Sequence, residues 1–186
     1  MLRAAVIGVG SMGRNHARVY RELEDCDLVA VSDVNSSSAQ ASAAQFGTKA
    51  YDDYKCMLEQ ERPQAVSIAV PTAMHLQVAL DALEAGADIL VEKPIAATVE
   101  DGRRIIHKAA ELGRKLMVGH IVRYNPAIQL LKQKLDAGEL GRVYQVFCRR
   151  AGPFPARIRD VGVVVDLAPH DVDIMRFLTG MDPVRV

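Results

Sequence analysis

Asp166 and His170 stand four residues apart, a spacing that puts two side chains on one face of a helix. A carboxylate beside an imidazole orients the ring and raises its basicity, an arrangement suited to moving a proton. The plainer alternative for the same pair is a helix-capping Asp and a packed His. Lys93 precedes Pro94, which disfavours helix at the lysine itself. At the end of a strand its ammonium could steady a hydroxyl or alkoxide, or tune a neighbouring base; the alternative is a solvated surface lysine. Asp166, His170 and Asp173 together do not force a metal site, because ligand sets need three or four converging groups with outer support, and no metal is expected.

A second chemistry lies at the other end of the chain. Gly8-x-Gly10-x-x-Gly13 follows the apolar run Ala4 to Ile7 and opens at once into a helical pattern. That is the context a dinucleotide fingerprint requires. Gly8 would allow the tight turn, Gly10 the approach of backbone to a pyrophosphate, and Gly13 the close packing of helix on strand. The helix start, with Ser11 and Met12, offers unpaired N–H groups and a positive dipole end to phosphates. Asp33, twenty residues after Gly13, closes the second strand where an acid binds the adenosine ribose hydroxyls. A carboxylate there repels a 2′-phosphate, so NAD is expected before NADP. The alternative is an Asp that only caps the helix beginning at Asn35. His16 reads as a helix-surface histidine.

Strands and helices must alternate to present these groups. Ala4–Ile7, Leu28–Asp33, a short strand near Tyr51–Tyr54, Gln64–Val70, Asp88–Val91 and Lys115–Gly119 read as strands. Between them fall helices with apolar periodicity, one striped with Met12, Val19, Tyr20 and Leu23. Thr98 with Asp101 makes a capping box, and Asn125-Pro126 an N-cap with proline at the first helical position. The fold class is α/β: a doubly wound parallel sheet of Rossmann type over 1–122, followed by an incomplete substrate domain over 123–186. In the latter, a helix runs to about Gly138, Val143–Arg150 alternates like a strand, 152–159 is loop, a helix ends near Gly180, and Pro183–Val186 begins a strand. A second domain this small cannot close a core, so the chain reads as a fragment or a truncated relative of something longer. In open α/β sheets ligands sit beyond the strand C-termini, where Pro71, Thr72, Glu92, Lys93 and His120 all fall. His120, Arg123, Tyr124 and Asn125 form a polar cluster that could hold a polyhydroxylated substrate, although Asn125 is explained as a cap. Arg149, Arg150, Arg157 and Arg159 flank the Pro-rich loop and suit an anionic group, or solvent.

The 186 residues carry 23 Lys plus Arg against 23 Asp plus Glu, so no net field draws the chain to nucleic acid or to a membrane surface. No apolar run is long enough to span a bilayer, and no leader pattern precedes the first strand. Three scattered cysteines read as reduced, mostly buried thiols, hence a cytoplasmic protein.

Taken as an ordered set, these pieces resemble the glucose-fructose oxidoreductase, inositol dehydrogenase and rhizopine-catabolism family of NAD(P)-dependent sugar oxidoreductases. The matching residues are Gly8-Val-Gly10-Ser-Met-Gly13, Asp33, Pro71-Thr-Ala-Met-His75, Glu92-Lys93-Pro94 and Asp166-Leu-Ala-Pro-His170-Asp-Val-Asp173, and they span essentially the whole chain. The resemblance implies that Lys93, Asp166 and His170 are the catalytic trio, with His170 as general base. It adds Pro71, Thr72, His75, Glu92 and Lys93 to the cofactor-facing set. It implies that His120, Arg123, Tyr124, Asn125 and Arg157 join the trio around a sugar. It also implies a peptide bond before Pro94 that is often cis, and a large further sheet that often forms a homo-oligomer interface. Gly119–Pro126, 152–162 and Asp166–Ile174 are similar to a narrower group, the UDP-N-acetylglucosamine 3-dehydrogenases. Ala168, where most of the family has glycine, fits that group. The rival from another class is a dinucleotide-binding or redox-sensing module without turnover. A methyltransferase using the same glycine loop explains neither Lys93-Pro94 nor the Asp166/His170 pair.

Overall fold

Runs of Val, Ile and Ala separated by helical segments fold, in the computed structural model, into six parallel strands: β1 (Leu2–Ile7), β2 (Cys26–Ser32), β3 (Lys49–Tyr51), β4 (Ala65–Ile68), β5 (Asp88–Val91) and β6 (Leu116–Val118). The structure describes residues 1–149 and 163–185; of 163, 165 and 166 the backbone alone is described. The chain divides into two units, Met1–Gly119 and His120–Val186.

In the first unit the strand order is β3-β2-β1-β4-β5-β6. The chain steps outward from β1 to β3, then returns to lay β4 against the other side of β1. The crevice that opens at this reversal is where α/β sheets bind ligands. Helices α1 (Ser11–Glu22), α2 (Ser36–Phe46), α3 (Tyr54–Glu61), α4 (His75–Glu84) and α5 (Val99–Glu111) cover both faces. Alternation along β1 decides the two cores: Ala5 and Ile7 pack with Met57, Val78, Leu83 and Ile105, while Val6 packs with Ala17, Ala43 and Phe46. Each fully buried aliphatic side chain contributes roughly 1.5–3 kcal/mol.

The helix starts follow local chemistry. Asn35 accepts from Ser38 N–H at 3.0 Å, and Thr98 accepts from Asp101 N–H at 3.1 Å. Such caps are worth ~1 kcal/mol each. Asn35, not Asp33, therefore caps α2. Of the expected α1 stripe, Tyr20 packs against the core, but Val19 and Leu23 are exposed, and Gly13 and Ala17 make the buried contact. Small residues win there because the helix must lie close to the glycine turn. His16 faces inward for the same reason and is not a surface histidine.

The second unit holds a 3-10 turn (Ile121–Tyr124), α6 (Pro126–Asp136) capped by Asn125, and α7 (Val163–Thr179) with Pro169 inside it. Among its described residues, Ile174 and Leu178 are the buried apolar ones. No strand forms among the described residues of 143–149 or 183–185, contrary to the alternation of their sequence. A strand exists only through a partner ladder, and the described residues supply none. Tyr144 and Phe147 are exposed as a result. Arg150, the loop 152–159 and Val186 lie outside the described residues. Among those described, no helix is long and apolar enough to cross a membrane. The cysteines are free, and Cys56 is exposed rather than buried.

Candidate functional site

The glycine turn is shaped by what it cannot accommodate. A Cβ on Gly13 would stand 1.7 Å from the Gly8 carbonyl oxygen, and one on Gly8 would stand 2.6 Å from that of Ala69. Gly8 also has φ +86, a conformation other residues rarely adopt. The turn is thus wedged between the ends of β1 and β4. Gly10 differs: a Cβ there would meet nothing within 4 Å. Gly10 is the N-cap of α1 and contributes no side-chain cap, so the first-turn amides of Ser11, Met12 and Gly13 keep no intrahelical acceptor. An open space above a glycine, facing helix-start N–H groups, suits a pyrophosphate.

Asp33 is built into this turn. One carboxylate oxygen accepts from Val9 N–H at 2.9 Å and the other from Asn35 N–H at 2.9 Å. Gly8 N–H donates to the Ser32 carbonyl at 2.7 Å. The end of β2 therefore holds the loop that follows β1. Gly8, Gly10, Asp33, Tyr54, Pro71 and Met74 line a cleft of about 430 Å³. Tyr54 forms one wall, with its hydroxyl donating to Asp81 at 2.7 Å. Burial and the Asp81 carboxylate push that phenol well above its usual range. A mostly apolar cleft with one carboxylate at the rim fits the adenosine end of a dinucleotide.

Lys93 follows β5, and the Lys93–Pro94 peptide bond is cis. Glu92 and His75, expected beside the cofactor, are turned into the protein. His75 is buried, with Nδ1 2.9 Å from the Pro94 carbonyl and Nε2 3.0 Å from that of Val70. One ring thus bridges the loops after β4 and β5, the first of which carries Pro71 and Thr72. The Glu92 carboxylate pairs with His16 at 2.7 Å. Spacing within α1 could not show this pair, whose members are 76 residues apart.

In the second unit, Asp166 and His170 lie one turn apart on α7, and His170 is half-buried. Arg123, expected to face a substrate, grips Asp173 instead: Nε donates at 2.7 Å and Nη2 at 2.5 Å. Asp173 holds the guanidinium above its ordinary range. The guanidinium also lies 5.6 Å from the Phe177 ring centre. His120 Nδ1 stands 3.8 Å from the same carboxylate. The buried Asp173 thus ties the 3-10 turn to α7. Tyr124 is exposed, and Asn125 accepts from Ala127 N–H at 2.9 Å. Arg157 lies outside the described residues, as does the side chain of Asp166. Among the described residues no three His, Cys, Asp or Glu gather as a metal set.

Residues 2–120 match the model of the GFO/IDH/MocA oxidoreductase family with its NAD-binding Rossmann fold, and 128–186 match the GFO/IDH/MocA C-terminal domain. The UDP-N-acetylglucosamine 3-dehydrogenase of Acidithiobacillus ferrooxidans is 38% identical over 185 residues, covering 100% of this chain and 56% of that protein. Its crystal structure superposes with TM-score 0.89 over 99% of this chain and 58% of that one. The scyllo-inositol 2-dehydrogenase (NAD(+)) of Bacillus subtilis is 34% identical over 192 residues, covering 100% of this chain and 56% of that protein. The WlbA dehydrogenase of Bordetella pertussis, solved in complex with NADH and UDP-GlcNAcA, superposes with TM-score 0.83 at 30% identity, over 96% of this chain and 58% of that one. The chain spans little more than half the length of these relatives.

Two glycine substitutions separate cradle from scaffold. Gly10→Val shifts the melting temperature by less than ~2 °C, because its side chain enters open space. It lowers NADH affinity at least ~10-fold, read by fluorescence titration, as 1.4 kcal/mol of lost contact requires. Gly13→Ala lowers the melting temperature itself. Unchanged NADH affinity in Gly10→Val would show that the pyrophosphate does not lie over Gly10.

Proposed function

The chain belongs to the GFO/IDH/MocA oxidoreductase family, and we propose that it acts as an NAD-dependent dehydrogenase oxidising a secondary hydroxyl of a sugar or nucleotide sugar. The observation that carries this reading is the glycine cradle with its bonded Asp33 at the reversal of strand order, on the sheet whose β5 is followed by Lys93. Ser11, Met12 and Gly13 amides hold the pyrophosphate, Asp33 the adenosine ribose, and Pro71 and Thr72 border the path towards the nicotinamide. Bound nicotinamide supplies the two-electron acceptor that oxidation of an alcohol to a carbonyl needs.

The chain's own residues manage the proton and the charge. His170 takes the hydroxyl proton of the substrate as general base. Asp166, one helical turn earlier, orients the imidazole and stabilises it once protonated. The Lys93 ammonium stabilises negative charge as it develops on the carbinol oxygen. A nucleotide sugar is favoured among substrates, since two of the relatives named above carry such sugars in their names or complexes. His120 and Tyr124 border the sugar, while Arg123 acts by fixing their turn through Asp173. The exposed aromatics Tyr144 and Phe147 support assembly of copies through the second unit, and three free thiols suit the cytoplasm.

In the full-length protein, His170→Ala lowers kcat at least ~100-fold while the NAD dissociation constant stays within about threefold, by steady-state kinetics and calorimetry. An equal loss of both would remove His170 from the proton-transfer role. Asp33→Asn keeps an oxygen for Val9 N–H but removes the charge, so the preference for NAD over NADP narrows by about tenfold, some 1.4 kcal/mol. Tighter NADP than NAD binding by the unaltered protein would overturn the reading of Asp33.

A further inference from the structure

Beneath the strand ends of the first unit runs a buried polar chain. Glu92 is 8% exposed, a costly place for a carboxylate unless it is paired. His16, on the second turn of α1, brings Nε2 to 2.7 Å from Glu92 Oε1. Its Nδ1 lies 3.3 Å from the Ser67 hydroxyl on β4, which lies 2.7 Å from the Tyr20 hydroxyl. The other Glu92 oxygen accepts from Lys93 N–H at 3.3 Å. Gly119 makes room for this carboxylate, since a Cβ there would stand 3.0 Å from Glu92 Oε2.

With Glu92 as a carboxylate, counting protons fixes the direction of the key bond. Burial pushes the Tyr20 phenol above its ordinary value, so it stays an O–H. With His16 neutral, Tyr20 donates to Ser67, Ser67 donates to Nδ1, and Nε2–H donates to Glu92. With His16 charged, Nδ1–H donates to Ser67 and Nε2–H still donates to Glu92. Either way the Glu92 oxygen receives an N–H from α1, and with His16 neutral every link of the chain has a donor and an acceptor.

We propose that His16 is a positioning residue for Lys93: from α1 it fixes the Glu92 carboxylate, which fixes the backbone of the strand end that carries the lysine. The inference rests on the role given to Lys93 above. It makes the helix that receives the pyrophosphate also the anchor of the lysine's strand end, two strands away in the sheet.

The test uses two isosteres. Gln places an N–H where Nε2 was and keeps the Glu92 contact; Asn keeps the Ser67 side and loses Glu92. Exchange of the Lys93 amide, read by NMR in the 186-residue chain without cofactor, speeds up about tenfold or more in His16→Asn and stays within about threefold in His16→Gln. In the full-length protein, His16→Asn lowers kcat by about 10- to 100-fold with the NAD dissociation constant within about threefold, and His16→Gln retains most of kcat. Glu92→Gln is the second route: it slows turnover likewise, and the His16→Asn/Glu92→Gln double variant is no slower than the slower single one. Equal behaviour of the Asn and Gln variants on amide exchange and kcat, or additive losses in the double variant, would overturn the proposal. Lys93→Met is the separate control: full turnover in that variant would sink the catalytic reading, whereas a dead Lys93→Met beside an unaffected His16→Asn would sink only the role of His16.

Discussion

The structure turns on a distance that leaves no room for a side chain. With 1.7 Å between a Gly13 Cβ and the Gly8 oxygen, and 2.6 Å between a Gly8 Cβ and the Ala69 oxygen, β1, its turn and α1 meet at backbone contact beside the end of β4. That approach sets the depth at which α1 begins, and so where its unpaired amides point. It selects Gly13 and Ala17, not Val19 or Leu23, as the packed face of the helix. It also brings His16 within reach of β4 and of the residue after β5.

Around this contact the strand-end loops are tied to one another by polar groups rather than left as independent turns. Asp33 receives the Val9 amide, joining β2 to the glycine turn. His75 bridges the carbonyls of Val70 and Pro94, joining the loops after β4 and β5. His16 and Glu92 join α1 to the strand end of Lys93. A binding site assembled from loops needs such fastening, because loops have few apolar contacts to hold their geometry. Asp173 plays the corresponding part in the second unit, holding Arg123 and approaching His120.

Much of this was legible in the sequence, and the limits are physical. The glycine turn, the acid at position 33, the caps Thr98 and Asn125, and the alternation of strand and helix depend on neighbours within a few residues. They could be read directly. His16 was misread because its partners, Glu92 and Ser67, are 76 and 51 residues away, and periodicity measures apolar faces rather than polar reach. Arg123 likewise finds Asp173 across 50 residues. Of the α1 stripe, Tyr20 reaches the core but Val19 and Leu23 do not, because close packing rewards small residues that hydrophobicity patterns underweight. Residues 143–149 have the alternation of a strand but no ladder partner among the described residues, and alternation alone cannot provide one.

The proposed dehydrogenase needs two halves: a cradle for the dinucleotide and a base that removes a proton from an alcohol. The measurement that tests their union most directly is absorbance of reduced nicotinamide when the full-length protein is given NAD with UDP-N-acetylglucosamine, related UDP-sugars, inositols and glucosides in turn. The account predicts NADH formation with at least one of these alcohols, together with a carbonyl product at a secondary position. NAD binding with no reduction by any member of the panel would contradict it and leave a dinucleotide-binding protein without turnover.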